Sequence, residues 1–489
     1  MTLSGLRQLA AAWRARRQGC RRYALVAAVV FALLLPSSVH AAPVIKDHYL
    51  TCRIYGVHVG YMRLDLSPQT DRKQPRQAYY LELDDVRDYN PLGLSVREEH
   101  RWQVRLAADL SLVSFECDTK SKTSPDFPET RLLLRGRFDE HGRGRLETDA
   151  PSGMDIDAGG PLFLYDLLPL LDQAGTLQAL KPYTASIVPA TLVPSSTTHL
   201  SIDSQYAESV LIVERDDSGV PQRLVMNEDL FEYEWKAEPA ERATAPPRML
   251  SAAEQEAVAA RMPAGGIVPQ RALDEPERTR LLRLYLHFPR ERRPIPSGLR
   301  QAVTAVDWNT AEITISARRL DPADGDLAPY LAPDLFANSR HPDIQKAARE
   351  ALRGLSDEPA KAARLTHYVY QKVQYEVCPG LPVASRTLRY GAGDCTELST
   401  LYAALARAAG LPCRIVAGLV YRNGHFHYHA WNEVAVQTPD GRLWLPQDPS
   451  LGLSDVDATH IVLVEGNVDR QIALGPLIGK LSIDILEAQ

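Results

Sequence analysis

The chain has 489 residues and nearly balanced charge, with 55 Lys and Arg against 61 Asp and Glu for a net −6. That length supplies two or three cores, and a mixed-sign chain with no basic tract past its N-terminus argues against nucleic acid as a partner. No stretch beyond the first forty residues is long and apolar enough to cross a bilayer as a helix.

In chain order, Arg14, Arg16, Arg17, Arg21 and Arg22 come first, then an apolar run over residues 23–35, then Val39-His40-Ala41. A basic region, a short apolar region and a small-residue cleavage site make an export signal over residues 1–41, so the mature protein is expected in the periplasm. An uncleaved signal would instead keep it associated with the membrane. Residues 43–236 alternate apolar and polar positions at 50–66, 78–83, 98–106, 110–117, 130–138, 209–214 and 222–226, with turn residues between. This predicts a β-rich accessory domain, an antiparallel open barrel or curved sheet able to hold an apolar ligand or a partner strand. Residues 161–171 are the exception and read as a short apolar helix. Residues 237–262, rich in Pro, Ala and charge, read as a linker with a helix at 250–261. Residues 263–328 carry strand patterns at 280–288 and 311–317, a small β module.

From residue 329 to 489 the pattern becomes α+β. His341-Pro342-Asp343 and Asp357-Glu358-Pro359 each start a helix, with Pro in the first turn. Gly393-Asp394-Cys395-Thr396-Glu397 then opens a third, in which Leu398, Leu401, Leu405 and Ala408 recur at helical spacing before Gly410 stops it. Asp394 followed by Glu397 is a capping box, which makes Cys395 the first helical residue. There the helix dipole and unpaired N–H groups favour a thiolate and can hold an oxyanion. A strand over 426–436 carries His429-Ala430-Trp431, Thr438-Pro439-Asp440-Gly441 is a turn, and the partner strand ends at Asp448-Pro449. The hairpin brings His429 and Asp448 to neighbouring strands. Cys395 is then the nucleophile, His429 its base, and Asp448 the group that orients the base. Strands at 461–464 and 483–486 close the domain.

The sequence Arg389-Tyr390-Gly391-Ala392-Gly393-Asp394-Cys395-Thr396-Glu397, the run 401–420, His429-Ala430-Trp431 and Asp448-Pro449 together resemble the transglutaminase-like superfamily, whose fold is related to papain-type cysteine proteases. The resemblance spans residues 330–489. It implies an α+β catalytic domain and acyl transfer through a thioester at Cys395. Bacterial members look more like peptidases or amidases than cross-linkers, so the expected substrate is a peptide or protein of the cell envelope, hydrolysed at a peptide or amide bond. No cofactor is implied, and no oxygen-rich calcium loop is present.

Several readings stay open at this stage. Cys20 leaves with the signal. Once Cys395 is set aside, Cys52, Cys117, Cys378 and Cys413 are either two disulfides, Cys52–Cys117 and Cys378–Cys413, or buried thiols. His425, His427 and His429 alternate and can face one side of a strand as a zinc site, with Asp448 as a further ligand. Trp431 either shields the His–Asp pair or is core. Gln371, Gln374 and Tyr390 are the candidates for a second oxyanion donor. The competing function is a non-enzymatic envelope protein in which the transglutaminase-like core is a scaffold and the β-rich domain binds a partner. Sequence does not fix the oligomeric state.

Overall fold

The structure, a computed structural model, describes residues 42–489 apart from 70–75, 91–95, 123–128, 149–152, 172–173, 182–185, 197–198, 205–209, 229–230, 260–265, 377–381, 467, 472–473, 475–476 and 478. The expected export signal lies outside the described residues.

The N-terminal half is one sheet of fifteen described strands. Its first strand, Ile45–Ile54, lies mid-sheet. Seven neighbours follow in sequence order on one side, out to Gly153–Asp157, and the chain then crosses to the opposite edge at Leu162–Leu164. From there it returns strand by strand until Phe231–Ala237 pairs with Ile45–Ile54, Leu50 opposite Ala237 and Cys52 opposite Trp235. Alternation decides what is inside: Leu81 and Leu83 of one strand and Trp102, Val104 and Leu106 of the next are buried, and the residues between them face outward. The inward face becomes polar at one end, where buried Asp85 pairs with Arg87 at 2.6 Å, beside buried Glu98 and His100.

The crossing segment departs in part from the helix expected at 161–171. Leu162–Leu164 is a short strand parallel to Gly175–Lys181, and Tyr165–Leu170 is a single 3-10 turn containing Pro169. Its apolar side chains fill the interior of the sheet, and strand pairing satisfies backbone groups that a buried helix end would leave open. Cys52 and Cys117 lie in this core as free thiols. Leu335, Phe336 and Val383, from the C-terminal half, belong to the same core.

In the C-terminal half the helices begin where their capping residues stand. His341 accepts the Asp343 N–H at 3.2 Å ahead of Pro342–Ala351, and Asp357 accepts the Ala360 N–H at 2.8 Å ahead of Glu358–Lys372. Both pack against Cys395–Ala408, whose Leu398, Leu401, Tyr402 and Leu405 are fully buried. The antiparallel strands Cys413–Arg422, His425–Thr438 and Gly441–Gln447 form the adjoining sheet, with Ile461–Glu465 beside the first. Asn423 and Gly424, both at positive φ, make the tight turn between the first two. The Cys413 end of that hairpin packs on the helices and its turn end on a second sheet. This second sheet runs Gln301–Ala305, Thr310–Ser316, Leu281–His287 and Ser482–Ala488. Residues 281–316, part of the segment read as a small β module, thus pair with the last strand of the C-terminal region.

Candidate active site

Cys395 is the first residue of its helix. The Thr396 N–H donates to Asp394 Oδ1 at 2.8 Å, and the Asp394 N–H donates to Glu397 Oε2 at 3.1 Å, which closes the capping box. Glu397 is buried, and burial together with the neighbouring Asp394 carboxylate pushes its carboxyl far above the usual range. The cap thus holds, one turn from the thiol, a carboxyl whose charged form is disfavoured.

His429 reaches this helix end from the middle of its strand, opposite Gly418. A Cβ on Gly418 would fall 1.9 Å from the Ile461 carbonyl oxygen, so glycine here lets its strand pair closely with Ile461–Glu465. His429 Nε2 lies 2.8 Å from Asp448 Oδ2, which leaves Nδ1 for the Cys395 thiol, a neighbour that further favours the charged ring. Burial opposes a charge on His429, but the Asp448 carboxylate and the neighbouring Cys395 outweigh it and raise the ring to about 9. Asp448 is fully buried. Its Oδ1 accepts from the Ser450 N–H at 3.0 Å, the Ser450 hydroxyl at 2.8 Å and the Leu451 N–H at 3.0 Å. Burial alone would raise this carboxyl. The His429 and His460 contacts hold it well below the usual range instead.

The structure thus brings Cys395, His429 and Asp448 together. It also adds residues that the sequence reading missed. Tyr375 pairs with Gly393 in a two-residue parallel strand, which brings its phenol into electrostatic range of Cys395. Burial and the nearby Cys395 and Asp394 push that phenol up, so it stays a donor. Gln371 and Gln374 are exposed, as Tyr375 is, and Tyr390 lies beneath the Arg386 guanidinium; what singles out Tyr375 is its interaction with Cys395. His460 stands on the far side of Asp448, its Nε2 3.2 Å from Oδ2. Trp431 is 1% exposed, stacks on His429 at 18° and meets His460 edge-on at 79°, a lid that keeps water from the His–Asp pair.

The zinc alternative does not form as drawn. His425 Nδ1 contacts the Asn423 carbonyl oxygen at 2.9 Å and His427 Nε2 the Arg422 carbonyl oxygen at 3.2 Å, so both rings turn back on their own hairpin. Among the described residues the donors close enough to share a cation are His429, Asp448 and His460, and hydrogen bonds of 2.8 and 3.2 Å already account for them. Cys413 is a free thiol near Asn432 Nδ2, 3.7 Å away, and Cys378, its expected partner, lies outside the described residues. Among the described residues no helix is long and apolar enough to cross a membrane.

Residues 345–449 match the family model of the transglutaminase-like superfamily. Among solved structures, a cysteine protease candidate from Cytophaga hutchinsonii is 18% identical, covering 42% of this chain and 82% of its own, with a TM-score of 0.27. The periplasmic domain of TgpA from Pseudomonas aeruginosa is 16% identical, covering 39% of this chain and 94% of its own, with a TM-score of 0.26. A β-barrel-like protein of unknown function from Brucella abortus is 12% identical, covering 41% of this chain and 98% of its own, with a TM-score of 0.29. No curated protein matches the chain.

Proposed function

Starting from a chain that carries a domain of the transglutaminase-like superfamily, we propose that it is an exported, cysteine-dependent acyl-transfer enzyme that hydrolyses a peptide or amide bond in the cell envelope. The observation that carries this reading is the line of contacts from Cys395 through His429 to a fully buried Asp448. A scaffold has no need of a buried carboxylate holding an imidazolium against a thiol.

In the proposed reaction the Cys395 thiolate attacks the substrate carbonyl carbon. The resulting oxyanion is held by the Cys395 N–H, at a helix start where no intrahelical acceptor exists, and by the Tyr375 hydroxyl. The His429 imidazolium gives its proton to the departing amine, and the C–N bond breaks to leave a thioester. Neutral His429 then takes a proton from water, the hydroxide attacks the thioester carbonyl, and the C–S bond breaks to release the acid product and the Cys395 thiolate, which restores the thiolate–imidazolium pair. Asp448 keeps His429 in one orientation throughout. Export through the N-terminal signal is part of the same proposal.

The test is the rate of Cys395 alkylation by iodoacetamide at pH 6.5, read by mass spectrometry. The wild-type protein is expected to react at least tenfold faster than His429→Ala, and Cys395→Ala should fold normally while losing all acyl-enzyme formation. Equal alkylation rates in the first pair would remove the reading.

A further inference from the structure

Asp448 is shared between two histidines. His460 is 2% exposed, and its two ring nitrogens face two different carboxylates: Nδ1 lies 3.1 Å from Asp457 Oδ1 and Nε2 lies 3.2 Å from Asp448 Oδ2. A neutral imidazole has one N–H and one lone pair. Between two carboxylates, the neutral ring would aim its lone pair at a buried oxygen, an unfavourable contact that a second ring proton turns into a hydrogen bond. Only the doubly protonated ring satisfies both contacts.

The surroundings agree with that assignment. From the Cys413–Arg422 strand, the Arg422 guanidinium lies 3.3 Å from Asp457 Oδ2. Arg300 donates to the Val456 and Asp457 carbonyl oxygens at 2.9 and 3.0 Å. From the His425–Thr438 strand come the His429 ring, 6.2 Å away, and the uncharged edge of Trp431. Asp457 is further fixed by the Thr459 N–H at 2.9 Å and the Thr459 hydroxyl at 2.6 Å. Charges then pair off as Cys395 with His429, Asp448 with His460, and Asp457 with Arg422.

We propose that His460, held as an imidazolium between Asp448 and Asp457, is a positioning residue for the thiol chemistry: it fixes the Asp448 carboxylate and offsets its charge, so that His429 can release its proton as well as hold it. The proposal rests on the acyl-transfer reading above. A carboxylate with no second cation would bind the His429 proton more tightly and make His429 a poorer acid toward the departing amine. His460 itself touches neither thiol nor substrate. Asp457 acts one step further out, because its carboxylate keeps His460 charged.

The experiment is the pH profile of Cys395 inactivation by iodoacetate. This anionic reagent is drawn by the His429 imidazolium, so the rate falls when His429 loses its proton, and that fall is the alkaline limb. His460→Gln keeps a donor and removes the cation. Its alkaline limb should move up by half a pH unit or more, and that of Asp457→Asn by less in the same direction. An unchanged limb in a His460→Gln protein of native thermal stability overturns the proposal. Should that variant not fold, nitrogen-15 spectra of histidine-labelled wild-type protein decide: two protons on His460 at pH 7 support the proposal and one overturns it. A wild-type profile with no alkaline limb would show that the Cys395–His429 pair itself is absent. The acyl-transfer reading would then fail, and the proposal with it.

Discussion

Replacing Asp448 with Asn retains the shape of the side chain and removes its charge, which isolates what the carboxylate does for His429. Burial disfavours the His429 cation, yet Asp448 at 2.8 Å reverses the balance and lifts the ring from the ordinary 6.5 to about 9. That difference corresponds to about 3 kcal/mol of coupling between protonation and folding. The sign follows from the direction. A raised value in the folded protein stabilises it fully below pH 6.5, and the stabilisation is lost as pH climbs through about 9. Asp448→Asn should therefore melt about 6–12 °C below the wild type at pH 6, taking 2–4 °C per kcal/mol for a unit of this size. The gap should narrow between pH 6.5 and 9 by the part that depends on the His429 proton, while the part owed to the His460, Ser450 and Leu451 contacts of Asp448 persists at pH 10. Differential scanning fluorimetry of the two proteins across this range is the assay. A gap of the same size at pH 6 and pH 10 would refute the view that the Asp448 charge holds His429 as a cation, and would reduce Asp448 to a hydrogen-bond acceptor.

Three other outcomes follow from single contacts. Tyr375→Phe should lower kcat by about tenfold to a hundredfold once a substrate is in hand while leaving KM within about twofold, because an oxyanion donor acts mainly in the transition state; a change confined to KM would assign the hydroxyl to ground-state binding. Gly418→Ala should fail to give soluble protein, since its Cβ would meet the Ile461 carbonyl oxygen at 1.9 Å; a folded, active variant would show that this strand pair is not held as described. Phe336→Ala should cost about 3–5 kcal/mol in urea unfolding, the usual loss for a buried phenylalanine, because that ring is 1% exposed in the core of the N-terminal sheet; a cost below about 1 kcal/mol would mean that this core does not need the C-terminal half.

What could be read from the sequence was local. The Asp394 and Glu397 cap lies within four residues, and its chemistry is set by backbone groups that any helix start exposes. His429 and Asp448 were legible because a single hairpin with a recognisable turn carries both. His460 was not, because it enters from beyond the next loop, and hydrogen-bond networks leave no periodic trace. The available signal was the cluster Asp457, Thr459 and His460, polar residues directly before an apolar strand, and all three are buried. Tyr375 was not singled out, because the strand that sets it beside Gly393 is two residues long and leaves no alternation to read. The β-rich character of residues 43–236 was visible in their alternation. The closure that pairs Cys52 with Trp235 was not, because strand partners far apart in sequence are chosen by the assembled core. Residues 161–171 were legible in part: Tyr165–Leu170 is a short apolar helix of 3-10 form, while Leu162–Leu164 is a strand, because an apolar run suits a buried helix and a buried strand equally until pairing with Gly175–Lys181 decides.

Leu335, Phe336 and Val383 bear on how such a chain could have been put together. Val383 directly precedes the Ala384–Tyr390 helix, which leads through Gly391 and Ala392–Gly393 straight into the cap of the Cys395 helix. A recombination event that exchanged the N-terminal sheet for a different one would strip the cover from these three side chains and leave an apolar patch a few turns from the cysteine. The two halves are thus bound by a shared inheritance: a new sheet could be accepted only with matching changes at 335, 336 and 383. Related chains in which the sheet differs should show their compensating substitutions at these positions, well away from any boundary drawn at the connecting segment.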